Sequence, residues 1–359
     1  MLRSTALTWS WLNILTKKRY DALSQVYADM EEAMEHLDEN MLKELGCREE
    51  TMMIAMNRLE EFDSDAYEKE LEKRGIKFLS IEDPDYPNSL KSLPDPPLFL
   101  YYKGSLDILN QPCIACVGTR EMSSYGKRVV EEFVPSFVRS GMTVVSGLAL
   151  GIDSQVAQSA INGGGKTVAC LGHGLSTIFP KSNSRLAEEI VENGGLILSE
   201  FPLDQPTSKY TFPSRNRIIA GLSLGTVVIE AGEGSGALIT ADLALDYGRE
   251  VFAVPGQIFD KNYIGCHQIL TKGHAKLVTS PTDVLEEIGI VASEKTQISY
   301  EPADELEKVV ISILSTMPQS VTDLVERSKL SAGDLNTKLT MLELAGAAKN
   351  VGGGMWVRQ

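Results

Sequence analysis

The sequence predicts an α/β protein built on a doubly wound parallel sheet, on three observations. Six short apolar runs, Cys113–Val117, Thr143–Val145, Lys166–Leu171, Leu196–Ser199, Thr226–Glu230 and Val251–Val254, are rich in Val and Ile and too short for helices. Continuous apolar character marks strands buried on both faces, as parallel strands are. Between and after the runs, helices are predicted at about Ser124–Arg139, Ile152–Asn162, Ser184–Asn193, Arg215–Gly221, Ala237–Tyr247 and Gly265–Thr271, the alternation that right-handed crossovers need. The runs also end in small or polar turns, among them Gly118-Thr119-Arg120, Ser146-Gly147-Leu148, Gly172-His173-Gly174 and Glu230-Ala231-Gly232. In a doubly wound sheet these turns share the carboxyl edge, where helix N-termini and backbone N–H groups receive ligands.

At 359 residues the chain has room for two or three domains, and 43% hydrophobic content is ordinary for a globular protein. No apolar run approaches the roughly 20 residues that cross a bilayer, and the N-terminus lacks a secretion signal, so a cytoplasmic protein with no membrane partner is expected. The cysteines, Cys47, Cys113, Cys116, Cys170 and Cys266, are odd in number, lie partly within strands and are expected to stay reduced. Cys113 and Cys116 fall on opposite faces of their strand, which is unsuited to a shared metal. A net charge of −15 excludes a uniformly basic nucleic-acid binder, because counterion release needs lysines and arginines facing phosphates. It leaves room for a local basic cleft. The acidic runs Asp29–Glu39 and Glu60–Glu72 are expected as solvated helix faces.

In chain order, residues 1–74 form a small helical domain, with apolar positions such as Leu12, Leu15, Leu23, Val26, Met30 and Met34 at helical spacing. The α/β domain is assigned to 75–290. It begins with a short strand at Ile76–Ser80, a proline-rich ordered segment from Pro84 to Pro97, and Leu98–Tyr102 as an edge strand. A polar linker, including Ser293–Gln297, occupies 291–302. Residues 303–359 supply helices at Asp304–Ser315, Ser320–Ser328 and Ser331–Ala345 and a hairpin across Ala347–Val357 turning at Gly352–Gly354, the makings of a winged helix. Its third helix offers Lys338 but also Asp334, a poor electrostatic match for a DNA groove, so protein contact or packing stays open beside DNA.

The turns hold the candidate site. Gly118, Thr119 and Arg120 can cradle a phosphate, with close backbone approach and a bidentate guanidinium. Ser146 and Gly147 lead towards Asp153, which can also act at its helix N-terminus. Gly172 belongs to an incomplete dinucleotide fingerprint. Phe179-Pro180-Lys181-Ser182-Asn183 and Phe212-Pro213-Ser214-Arg215-Asn216-Arg217 gather rings, cations and amides, the mixture that stacks bases and neutralises phosphates of a single strand. Core packing of Phe179 and Phe212, and salt bridges from Arg215 and Arg217 to Glu200 or Glu230, are the structural alternatives. Ser235 and Gly236 open a helix after a buried strand and add donors for an anion. No Walker lysine or HExxH is present, and no catalytic residue, metal or cofactor is assigned.

Strung together, Tyr86-Pro87, Pro96-Pro97-Leu98, Val117–Arg120, Ser146–Asp153, Phe179–Lys181, Ser199-Glu200, Phe212–Gly221, Ser235–Ala241 and Val254–Gly256 resemble the DNA processing protein A (DprA/Smf) family, strongly from Tyr86 to about Val278. The resemblance implies an extended Rossmann-like domain that binds single-stranded DNA, protects incoming DNA during natural transformation, loads the RecA recombinase and forms a homodimer, without catalysis. By motif it implies phosphate contacts from Arg120 and Lys181, pocket-lining Arg215 and Arg217, and a backbone cradle from Gly118, Ser146, Gly147, Gly172, Ser235 and Gly236. Many members carry a histidine where this chain has Ala157, and a glycine-containing hairpin where it has Thr16-Lys17-Lys18. The domain also resembles nucleotide phosphoribohydrolases of the lysine-decarboxylase-like superfamily. Their glycine-rich turn is followed closely by catalytic glutamates, whereas here Leu238, Ile239 and Thr240 follow.

Overall fold

Apolar residues at helical spacing fold the N-terminal segment into α1 (Arg3–Leu12), α2 (Lys17–Val26), α3 (Met30–Glu35), α4 (Glu39–Glu44), α5 (Glu49–Glu61) and α6 (Ser64–Lys73). Side-chain oxygens of Thr16, Asp29, Asp38 and Asp63 cap the starts of α2, α3, α4 and α6. The computed structural model describes residues 1–208, 210–291, 302–315 and 318–358, so nearly all of the expected linker at 291–302 lies outside the described residues. Two compact units result, Met1–Ser293 and Glu294–Gln359. The N-terminal helices belong to the first and share a core with the sheet: Trp9, Leu12 and Leu42 are buried in the same cluster as Phe78, Leu100 and Tyr101. The hydroxyls of Ser10 and Tyr101 meet at 2.8 Å across that junction.

The sheet begins with β1 (Lys77–Ser80), a short helix α7 (Asn88–Lys91) and β2 (Phe99–Gly104). β2 was expected at an edge but is internal: β1 pairs antiparallel on one side and Leu196–Ser199 antiparallel on the other. The prolines precede this strand rather than interrupt it, so its N–H groups are available to both neighbours, and Leu100 and Tyr101 are fully buried.

The alternating region then runs β3 (Cys113–Gly118), α8 (Ser124–Arg139), β4 (Thr143–Ser146), α9 (Ile152–Asn162), β5 (Thr167–Cys170), α10 (Ser184–Glu192), β6 (Leu196–Ser199), α11 (Thr211–Leu222), β7 (Gly225–Glu230), α12 (Gly236–Asp246), β8 (Glu250–Ala253), α13 (Ile264–Thr271), β9 (Lys276–Leu277) and α14 (Pro281–Glu287). Among the described residues the sheet order is β1-β2-β6-β5-β4-β3-β7-β8-β9, parallel from β6 to β9. Within β3 the period of two sends Cys113, Ala115 and Val117 to one face and Ile114 and Cys116 to the other. The first face packs on α11, α12 and α13, the second on α8, α9 and α14. The order reverses at β3 and β7, so their following loops border the crevice of the doubly wound sheet.

α11 begins at Thr211, earlier than the expected Arg215, because Pro213 falls in the first helical turn, where its missing N–H costs no intrahelical bond. β9 escaped the sequence pattern because two residues carry no period. All five cysteines are free and buried. Among the described residues no helix is long and apolar enough to cross a membrane.

The second unit holds α15 (Glu305–Ile313), β10 (Gln319–Ser320), α16 (Val321–Ser328), α17 (Ala332–Leu344), β11 (Ala348–Gly352) and β12 (Met355–Arg358), with strands ordered β10-β12-β11. Val310, Leu324, Leu335, Leu339, Leu342 and Trp356 form its core, and the arrangement is a winged helix.

Candidate functional site

The two loops that flank the crevice lock together through bare backbone. Thr119 donates its N–H to the Glu230 carbonyl at 2.7 Å, and its own carbonyl accepts from Ile152 at 3.1 Å. Gly151 has φ of +77°, and a Cβ there would lie 2.4 Å from the Thr119 carbonyl oxygen, so only glycine lets the loop before α9 close on Thr119 and Arg120. A Cβ on Gly118 would lie 2.6 Å from Ile152. This closure leaves the Arg120 side chain exposed, with its guanidinium carbon 5.2 Å from the centre of the Phe212 ring. Thr119 thus acts through its backbone, and its hydroxyl oxygen accepts from the Glu121 N–H at 3.1 Å.

Arg120 and Phe212 form a ridge between two hollows. One, of about 100 Å³, is walled by Gly147, Leu150, Gly172, His173 and Phe179. The other, of about 290 Å³, is walled by Gly118, Thr119, Asn216, Gly236 and Thr240. Arg215 reaches the floor of both. It is 6% exposed, its Nη1 donates to the Cys170 carbonyl at 3.0 Å and its Nε to Asn216 Oδ1 at 3.0 Å. The Asn216 amide in turn donates to the Gly236 carbonyl at 3.3 Å. Arg215 therefore lies beneath the ridge as a buried positive charge that acts electrostatically on the buried Asp153.

Gly147 explains how this arginine fits. A Cβ there would sit 1.6 Å from Arg215 Nη1 and 2.7 Å from Asp153 Oδ2, so the glycine makes space for the buried charges. Burial pushes the Asp153 carboxyl above its ordinary value, against the opposing pull of Arg215 and of the Ala149 and Gly147 N–H groups. The Ser146 hydroxyl faces inward and donates to the Cys116 carbonyl at 2.8 Å. His173 is buried, with Nδ1 against the Gly174 carbonyl at 2.8 Å and Nε2 receiving the Phe179 N–H at 3.3 Å. Burial lowers its pKa, so it serves as a neutral brace for the Phe179 loop.

The remaining expected residues divide. Lys181 is exposed directly after Phe179-Pro180, and Phe179 is 52% exposed rather than packed in the core. Asn183 is buried, donating to the Leu148 and Ala149 carbonyls at 2.9 and 3.4 Å, so it holds the neighbouring loop. Ser235 caps α12. Arg217 points away from the ridge: it donates to the Asp95 carbonyl at 2.6 Å, pairs with the Asp95 carboxylate and closes on Glu200. It lines a separate cavity of about 570 Å³ against the N-terminal helices, shared with Trp9, Asn13 and Tyr247. The salt bridge to Glu200 that the sequence left open is thus formed by Arg217 and not by Arg215. Arg217→Ala is expected to strip the part-buried Glu200 of its partner and lower stability by about 3 kcal/mol in urea unfolding.

Glu230 is wholly buried below the crevice, where it accepts from the Ser123 N–H at 3.0 Å and from the Asn262 amide at 3.4 Å. Gly126 is required beside it, since a Cβ would lie 2.2 Å from Glu230 Oε2. Its carboxylate thus secures the start of α8, a role favoured by the helix dipole. Leu150, 47% exposed at the smaller hollow, carried no sequence signal because its exposure depends on the Gly151 turn. In the second unit Lys338 is bound to Asp304 and Glu307, which removes the cation expected on the third helix.

Fold and site together define an extended Rossmann-like α/β protein with an appended winged helix and a cation–aromatic ridge on its carboxyl edge. The chain belongs to the DNA recombination-mediator protein A family, whose model matches residues 77–289, and a DprA winged helix domain model matches 294–354. It is 44% identical over 243 residues to the DNA processing protein DprA of Streptococcus pneumoniae, covering 67% of this chain and 83% of the relative. It is 38% identical over 292 residues to Protein Smf of Escherichia coli, covering 79% and 78%. The X-ray structure of the S. pneumoniae DprA superposes with a TM-score of 0.66 at 38% identity, covering 79% of this chain and 95% of that one. A structure of Helicobacter pylori DNA processing protein A, described as revealing a unique single-stranded DNA binding mode, gives a TM-score of 0.54 at 29% identity over 59% of this chain and 95% of that one.

Proposed function

We propose that this chain is a recombination mediator that binds single-stranded DNA along the carboxyl edge of its parallel sheet, protects it and delivers it to the RecA recombinase during natural transformation. The observation that carries the reading is the ridge: an exposed guanidinium laid over a partly exposed phenylalanine, with a second, buried arginine beneath and Phe179 and Lys181 beside it. Rings accept bases of any identity and cations follow the backbone, which suits a strand without sequence preference. The net charge of −15 confines that attraction to the cleft. Family membership supports the mediator role. We place the homodimer contact at β9, the edge strand of the sheet among the described residues, where Leu277 is 52% exposed, and sedimentation of the parent and Leu277→Glu chains tests it.

The deciding experiment is fluorescence anisotropy with single- and double-stranded oligonucleotides of equal length at two salt concentrations. Tight, salt-sensitive preference for the single strand is expected, and equal or absent binding would remove the proposal. Lys181→Ala should weaken single-strand binding severalfold and reduce the salt slope by about 0.7. RecA filament assembly on strands coated by a second binding protein tests delivery.

A further inference from the structure

The edge carries a second aromatic–lysine pair that mirrors the one beside the ridge. Phe179-Pro180-Lys181 follows β5 and leads through the 3-10 turn Lys181–Asn183 into α10. Phe259-Asp260-Lys261 follows β8 and leads through the 3-10 turn Lys261–Tyr263 into α13. Each turn uses an asparagine amide to hold a loop next to Arg120: Asn183 donates to the Leu148 carbonyl at 2.9 Å, and Asn262 to the Glu121 carbonyl at 2.8 Å. Phe259 is 92% exposed and Ile258 74% exposed, although both stand on a loop anchored at its two ends. Tyr125 donates to the Pro255 carbonyl at 3.2 Å, and the Tyr263 ring fills the space that a Cβ on Gly256 would take. Asp260 turns its carboxylate into the turn, accepting the Asn262 N–H at 3.0 Å, and Lys261 is exposed. An anchored loop that presents a bare ring and a lysine has the chemistry of a base-stacking and phosphate contact.

We infer that Phe259 and Lys261 form a further contact point for single-stranded nucleic acid, so that one strand crosses the sheet edge from Phe179 and Lys181, over the Arg120–Phe212 ridge, to the loop after β8. The inference rests on the single-strand reading above. β5 and β8 are separated by β4, β3 and β7, so four inter-strand steps, about 19 Å in all, lie between the two pairs. At about 3.4 Å per nucleotide of stacked strand this spans about six nucleotides, and fewer when the strand is extended.

The test uses the full chain and oligothymidylates of about four and about fifteen nucleotides, the first filling only the ridge and the second reaching across the edge. Phe259→Ala is expected to weaken the long oligonucleotide about fivefold or more while leaving the short one unchanged. Lys261→Ala should lower the salt slope for the long one alone, by about 0.7. Parent-like binding of the long oligonucleotide by Phe259→Ala, or equal losses at both lengths, overturns the subsite. Arg120→Ala separates the ridge from its extension. If it too binds both lengths as the parent does, the ridge reading itself fails; if it alone loses affinity, only the extension fails.

Discussion

Arg215→Met is expected to lower the stability of the first unit by about 3–5 kcal/mol, more at neutral pH than in mild acid. The arginine is buried, donates to the Cys170 carbonyl and to Asn216, and supplies the positive charge facing the buried Asp153. Methionine fills much of the volume but leaves the carboxylate without a cation. Burial already holds the Asp153 pKa above its ordinary value, and Arg215 is the leading opposing influence, so its loss raises that pKa further. A carboxyl whose folded pKa exceeds its unfolded value of about 4 binds more protons folded than unfolded. Its contribution to stability is therefore most favourable at acid pH and is lost as pH rises through the folded pKa. Urea unfolding at about pH 5 and about pH 8 should show the larger deficit at the higher pH, and adding Asp153→Asn should recover part of it. Equal deficits at both pH values would show that Asp153 is not the partner that matters. Single-strand affinity should fall as well, since Arg215 supports the floor of both hollows.

The largest effect on binding is expected from Arg120→Ala, a loss of about tenfold or more in single-strand affinity with a salt slope reduced by about 0.7. The side chain is exposed and poised over Phe212, so its removal takes away the proposed phosphate contact without disturbing the core. Arg120→Lys separates charge from shape: the slope should return, because the charge is kept, while affinity recovers only in part, because an ammonium cannot lie flat on the ring or bind bidentately. Arg217→Ala gives the contrast. It should reduce stability but leave the salt slope intact, because its charge is engaged with Asp95 and Glu200 away from the ridge. A reduced slope in that variant would move Arg217 back into the DNA path.

The strands and helices of the α/β region were readable in the chain because their signals are local. α8 and α9 start and stop where the apolar spacing places them, at Ser124–Arg139 and Ile152–Asn162. Local signals end where the deciding contact is distant. β2 was misplaced at an edge because nothing within Leu98–Tyr102 reports that Lys77–Ser80 pairs beside it. Among candidate site residues, Arg120 and Phe212 meet at the ridge and Lys181 stands exposed nearby, whereas Ser146, Gly147 and Asn183 turn out to shape the protein around it.

The kind of surface is legible in the chain: glycine, serine and arginine at the ends of buried strands must collect on one sheet edge, since parallel strands all end there. The division of labour among those residues comes from packing. A glycine has the same side chain whether it admits a ligand or a buried guanidinium, and only packing places Arg215 against Gly147. An arginine faces DNA or a carboxylate according to what the fold brings near, and Arg217 finds its Asp95 partner 122 residues away. Side-chain chemistry is written locally, but burial and partners come from long-range contacts that no short window of sequence contains.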